Sequence, residues 1–210
     1  MDIFVERRGH SCVVVQASGR LVIDPGVYSD VPGALARAEA VLVTHEHLDH
    51  IDVPAVAATD LPVYAPAPVV ELLRAAGAEP ARLHVVADGD EIAPAGVAVR
   101  VLGERHEQIH PDVPQPANVG YLVAGHVLHP GDAYVTLPEG FSVDLALVPL
   151  GGPWLRIADV IDWVRQVAPA RVMPIHDAML TPAGAALATQ WIERLCDVEM
   201  VDPGLGIPVD

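Results

Sequence analysis

Thr44-His45-Glu46-His47-Leu48-Asp49-His50 is the stretch from which the fold can be read. Four of its seven residues, His45, His47, Asp49 and His50, read as metal ligands. Directly before it stands Ala40-Val41-Leu42-Val43, a short apolar run that reads as a buried strand. The ligand-type residues therefore sit on the loop leaving a strand end, where a rigid scaffold can hold them. His45 and His47 are two positions apart, so in an extended loop they point to one side and can share an ion. Asp49 and His50 follow at the next bend and can face a second position beside the first. Imidazole suits Zn²⁺, and a carboxylate adds charge and can orient a bound water. A lone histidine would read as structural. Three histidines and an aspartate in six positions read as metal ligands.

Composition narrows the function classes. A chain of 210 residues is expected to form one domain, residues 1–210, with enough length for a core. Hydrophobic residues make up 51% and the mean hydropathy is +0.35. No apolar run approaches the roughly 18 residues of a membrane span, so these residues suit buried strands and a homo-oligomer interface. The net charge is −16, and all 12 basic residues are arginine. Without lysine, Schiff-base chemistry is excluded, and nucleic acid is not an expected partner, since it needs clustered positive charge. Cys12 and Cys196 are too few and too far apart for a disulfide framework and read as free thiols. The opening Met1 to Arg8 shows no signal peptide, which gives a cytoplasmic expectation.

Along the chain, strands are expected at Ile3 to Val5, Cys12 to Gln16, Leu21 to Asp24, Pro62 to Ala65, Leu83 to Val86, Val97 to Leu102, Val119 to Ala124, Val127 to His129, Leu145 to Leu150 and Arg171 to His176. Helices are expected at Pro32 to Ala38, after Asp52 as N-cap, at Pro68 to Ala76, at Ile157 to Val167, and after Thr181, where Leu187, Trp191 and Leu195 form an apolar stripe. The tail from Val198 to Val201 and beyond could add a final strand.

The H-x-H-x-D-H pattern after a hydrophobic strand resembles the signature of the metallo-β-lactamase superfamily. The resemblance implies an α+β fold, a four-layer αββα sandwich with the ligands at one edge. Gly9-His10-Ser11, the strand closing with Asp24-Pro25, and the stretch from Val143 to Gly152 are similar to the branch that includes ascorbate-6-phosphate lactonases and N-acyl phosphatidylethanolamine phospholipase D. Carried onto matching positions, the pattern implies that His45, His47 and His106 hold one metal, that Asp49, His50 and His176 hold another, and that Asp132 bridges them. His110 is the fallback for His106. The implied cofactors are two Zn²⁺, with Mn²⁺ or Fe²⁺ as substitutes. The implied reaction is hydrolysis of a small ester, lactone or phosphodiester by a metal-bridging hydroxide, with Asp49 as the catalytic proton carrier. Alternatives on the same residues are an iron-containing redox enzyme and a non-catalytic metal-binding module. Asp24 is a candidate acceptor for a ligand histidine or a turn former. His10 and His129 stand as residues near the site or structural ones, and Trp154 as a pocket or packing residue.

Overall fold

Residue alternation explains how the strands layer. In the computed structural model, which describes residues 3–201 and 207–209, Val13 and Val15 face one core while Cys12 and Val14 face another. The same period of two separates Leu21 and Ile23 from Val22, and Leu145 and Leu147 from Ala146 and Val148. Successive side chains of a strand point to opposite faces, so strands apolar on both faces must be covered on both.

Two sheets satisfy that demand. The first contains β1 (Ile3–Gly9), β2 (Cys12–Gln16), β3 (Arg20–Ile23), β4 (Ala40–Leu42), β5 (Val63–Ala65) and β6 (Leu83–Val85). The second contains β7 (Glu91–Ile92), β8 (Val99–Leu102), β9 (Gly120–Val123), β10 (Val127–His129), β11 (Leu145–Pro149), β12 (Arg171–Ile175) and β13 (Glu199–Met200). A final strand, β14 (Ile207–Val209), returns to the first sheet antiparallel to β1. The orders are β14-β1-β2-β3-β4-β5-β6 and β13-β12-β11-β10-β9-β8-β7. Each sheet is antiparallel over its earlier strands and parallel over its later ones, from β3 to β6 and from β10 to β13.

Between the sheets lies a core of Val, Leu and Ile side chains with Tyr121 and Met173. Tyr121 is fully buried, and its hydroxyl donates to the Val43 carbonyl (2.8 Å), so the phenol is satisfied within an apolar layer. Helices α1 (Val31–Leu35), α2 (Val53–Ala57) and α3 (Ala67–Ala75) accompany the first sheet; Val56, Val69, Val70 and Leu73 pack on Val41, Val43 and Val63. Helices α4 (Ile157–Val167) and α5 (Pro182–Cys196) cover the second. The result is the expected four-layer αββα sandwich.

Helix α5 departs from expectation. It packs through Ile192 with Ala185, Ala188 and Cys196, while Leu187, Trp191 and Leu195 remain exposed. Small residues let the helix approach its neighbours closely, and periodicity alone cannot choose between two adjacent stripes. Arg194 lies over the Trp191 ring, 5.6 Å from its centroid.

Candidate metal centre

The histidine loop is held by one buried carboxylate. Asp24, at the end of β3, accepts from the Thr44 backbone N–H (2.7 Å) through Oδ1. Its Oδ2 accepts from the Thr44 hydroxyl (2.7 Å) and from His50 Nδ1 (2.7 Å). Since the Thr44 hydroxyl donates to Asp24, it accepts from His45 Nδ1 at 3.0 Å. Both rings thus have their Nδ1 occupied and turn Nε2 the other way. Of the two readings open for Asp24, the structure favours the acceptor.

Gly26 lets the loop lie close. A Cβ there would stand 1.9 Å from the Asp49 carbonyl oxygen. The two segments are joined by Val27 N–H to Leu48 O (2.9 Å) and Asp52 N–H to Pro25 O (2.8 Å). Gly26→Ala is expected to cost about 1–3 kcal/mol by overpacking, seen as a lowered denaturation midpoint with unchanged slope; an unaltered midpoint would contradict this close contact.

The second sheet supplies the facing residues. His106 follows β8; its Nδ1 donates to the Glu107 carbonyl (2.5 Å), leaving Nε2 turned inward. Asp132 follows β10 and is positioned by Asn118, whose Oδ1 accepts from the Asp132 N–H (3.0 Å) and whose Nδ2 donates to Pro130 O (3.0 Å). Gly131 takes a left-handed φ of +64°, and a Cβ there would meet Asn118 Oδ1 at 2.3 Å. His129 accepts from the Gly131 N–H (3.2 Å) and donates to Ser11 O (2.8 Å), so it braces the turn as a neutral ring. Trp154 donates its indole N–H to Asp132 Oδ2 (3.1 Å). His176 follows β12 in a left-handed conformation, φ 55°, with its N–H on His10 O (3.2 Å). Among the described residues, His10, Asp24 and His176 all hold left-handed backbones, an unfavourable state for non-glycine residues that recurs at functional sites.

These pieces converge. The Asp132 carboxylate lies 3.1 Å from His50 Nε2, 3.1 Å from His176 Nε2, 3.3 Å from His106 Nε2 and 3.9 Å from His45 Nε2. Donor atoms of His45, His47, His106 and Asp132 all lie within 4.8 Å of one another, as do those of His10, Asp49, His50 and His176. His110, by contrast, is exposed and accepts from the Asp112 N–H (3.2 Å).

The chemistry of this donor set fits a cation. Nε2 of His50, His106 and His176 and Oδ1 of Asp132 are buried without hydrogen-bond partners, and orphaned buried polar atoms are costly. His45 Nε2 and His47 Nδ1 face each other at 3.0 Å, which needs a proton or a cation between them. Burial pushes the His45 and His47 pKa values down, and neighbouring histidines add to it. Burial also opposes charge on His176, but the adjacent Asp132 and Asp49 carboxylates lift its pKa to about 9. Burial would raise the Asp132 carboxyl, yet His50, His106 and His176 hold it well below the usual range.

His10 stands apart within its group. Its Nδ1 accepts from the Ala178 N–H (3.2 Å), so the hydrogen-bond network places its proton on Nε2, which donates to Asp49 Oδ2 (3.1 Å). It is therefore built as a donor to Asp49. Arg7, paired with Asp177, also donates to the His10 carbonyl (3.0 Å). Sequence reasoning gave no role to Asn118, whose partner is 14 residues away, and left Trp154 undecided.

The cleft above the centre has a volume of about 170 Å³ and is lined by His47, Asp49, His106, Asp132 and His176 with Ile109, Pro153, Trp154 and Met179.

Comparison with known proteins agrees with this architecture. Residues 5–176 match the family described as the beta-lactamase superfamily domain. The chain is 38% identical to the Mycobacterium tuberculosis protein Rv0786c, covering 83% of this chain and 84% of that one. It is 27% identical to a UPF0173 metal-dependent hydrolase of Polynucleobacter asymbioticus, over 72% and 62% of the two chains. In fold it is similar to Igni18 of Ignicoccus hospitalis, a novel metallo hydrolase, with a TM-score of 0.74 at 19% identity, covering 100% and 99%. A two-sheet sandwich with its histidines and aspartates at the strand ends, matched over most of its length, makes this chain a member of the metallo-β-lactamase superfamily.

Proposed function

We propose that the chain is a divalent-metal-dependent hydrolase acting on a small molecule, and that its metal centre is dinuclear. The observation that carries this is the set of inward-facing, unpartnered nitrogens of His50, His106 and His176 around Asp132. The relative named as a metal-dependent hydrolase supports the same class. In this reading His45, His47 and His106 hold one ion, Asp49, His50 and His176 hold the other, and Asp132 lies between. Zinc is the expected metal, with manganese or iron as substitutes. Bound there, such ions would polarise the bond under attack and acidify a water to a pKa of about 7.

The chain's own residues do the rest. Asp24 and Thr44 fix the orientation of His50 and His45. Asn118 and Trp154 fix both ends of Asp132. His10 donates to one oxygen of Asp49 and so sets its carboxylate plane. Asp49 lines the cleft and takes the proton of the attacking water, then delivers it to the leaving group. Trp154 and Pro153 line the same cleft.

The test is hydrolysis of a broad ester, lactone and phosphodiester panel by zinc-, manganese- or iron-loaded protein, with chelated protein as control. Metal-dependent turnover of any member is expected; none with any metal would refute the reading. Two variants probe the ligand assignment. His106→Ala should lose at least half of the bound metal while His110→Ala retains it, as measured by elemental analysis; the reverse would reassign the ligand. His10→Ala should keep its metal but lose kcat by about 10–100-fold, the effect of removing an outer partner. Wild-type kcat in that variant would remove His10 from the mechanism.

A further inference from the structure

We infer that the cleft selects a neutral, apolar acyl substrate, a lactone or carboxylic ester, and discriminates against phosphodiesters and other anions. This rests on the hydrolase reading above and narrows it. The walls carry the inference. Apart from the five candidate ligands and proton carrier, the cleft is lined by Ile109, Pro153, Trp154 and Met179, all apolar. Of these, Ile109 and Met179 are exposed and Trp154 is buried. Exposed apolar side chains converging on a polar centre are the usual mark of a site that recognises apolar groups.

The walls also offer little to an anion. Phosphate recognition ordinarily uses guanidinium or ammonium groups, or backbone N–H groups. The chain has no lysine. Among the described residues none lining this cleft is arginine. Arg7, which lies behind His10, is already paired with Asp177. The Trp154 indole N–H is committed to Asp132, and proline has no N–H to give. At longer range the polypeptide's net charge of −16 opposes an approaching anion, offset locally by any bound metal. The family resemblance leaves a phosphodiester among the implied substrates; the wall chemistry favours the ester and the lactone.

Size sets a second limit. The cleft is small, about 170 Å³. On this inference a short acyl chain lies beside the buried Trp154 and the alcohol portion toward the exposed Met179. In the reaction the water oxygen forms a bond to the acyl carbon and the acyl C–O bond breaks. The water proton passes through Asp49 to the leaving alkoxide oxygen, giving a carboxylic acid and an alcohol, or a hydroxy acid from a lactone.

The experiment uses the metal-loaded full chain and substrates sharing one leaving group: 4-nitrophenyl acetate and butyrate, the 4-nitrophenyl monoester of succinate, and bis(4-nitrophenyl) phosphate. Butyrate and the succinate ester differ mainly in a distal carboxylate, and because that carboxylate attacks its own ester intramolecularly, each kcat/KM is taken above the spontaneous rate of the same ester. The expected kcat/KM for butyrate exceeds that for the succinate ester by at least tenfold. It rises about fourfold per methylene from acetate, the equivalent of ~0.8 kcal/mol per buried CH₂. Met179→Arg should narrow the butyrate-to-succinate ratio at least fivefold. In parallel, quenching of tryptophan fluorescence compares δ-valerolactam with dimethyl phosphate, with Trp154→Phe as the control. Tighter lactam binding is expected. Equal turnover of butyrate and the succinate ester, phosphodiester turnover alone, tighter dimethyl phosphate binding, or no binding of either ligand would overturn the inference. Preferential lactam binding with no turnover of any substrate would instead refute the hydrolase reading and leave the selectivity of the cleft supported.

Discussion

Asp132→Ala protein will retain less than half of the wild-type metal and lose at least about 10³-fold in kcat/KM, equivalent to the several kcal/mol a positioned metal supplies. Asp132 is the carboxylate that lies within 3.3 Å of His50, His106 and His176 at once. Its removal takes the negative charge from between the two donor groups and frees the Trp154 indole. Elemental analysis of the variant, paired with turnover on whichever substrate the wild type hydrolyses, checks both parts. Near-normal metal and rate would mean that the donor groups act independently of Asp132.

Asp24→Ala will have its largest effect on stability. The Asp24 carboxylate is fully buried and receives the Thr44 N–H, the Thr44 hydroxyl and His50 Nδ1. Alanine leaves these three donors buried without an acceptor. Breaking a buried charged network in this way costs about 3–5 kcal/mol. For a chain of this size, with roughly 2–4 °C per kcal/mol, the melting temperature should fall by about 10 °C. Metal affinity should fall by about 10–100-fold as His50 loses its anchor. Calorimetry and a metal titration measure the two effects separately. A variant that melts like the wild type would show that water satisfies the donors and that Asp24 holds nothing in place.

Much of the centre could be read from the chain because its densest part is contiguous. His45, His47, Asp49 and His50 follow one apolar strand, so spacing alone marks them as candidates. Asp132 and His176 each stand just beyond an apolar run, and the resemblance gave them their place in the order. What could not be read depends on partners far apart in sequence. The His10 tautomer is set by the Ala178 N–H, 168 residues away, and Asn118 finds its role only when the turn at Asp132 lies against it. Helix α5 shows a different limit. Two stripes on one helix are both apolar, and the smaller one, with Ala185 and Ala188, faces the sheet because it permits closer packing. Strand β7, with two residues, carries too short a pattern to register as periodic. Strand β14 pairs with β1 from the other end of the chain, a pairing no local signal announces.

Anomalous X-ray scattering at the zinc edge, from crystals of zinc-loaded protein, examines the centre most directly. Two peaks are predicted, one bounded by His45, His47 and His106, the other by Asp49, His50 and His176, with Asp132 between them. A single peak would leave the centre mononuclear, and no peak within reach of Asp132 would contradict the metal centre itself.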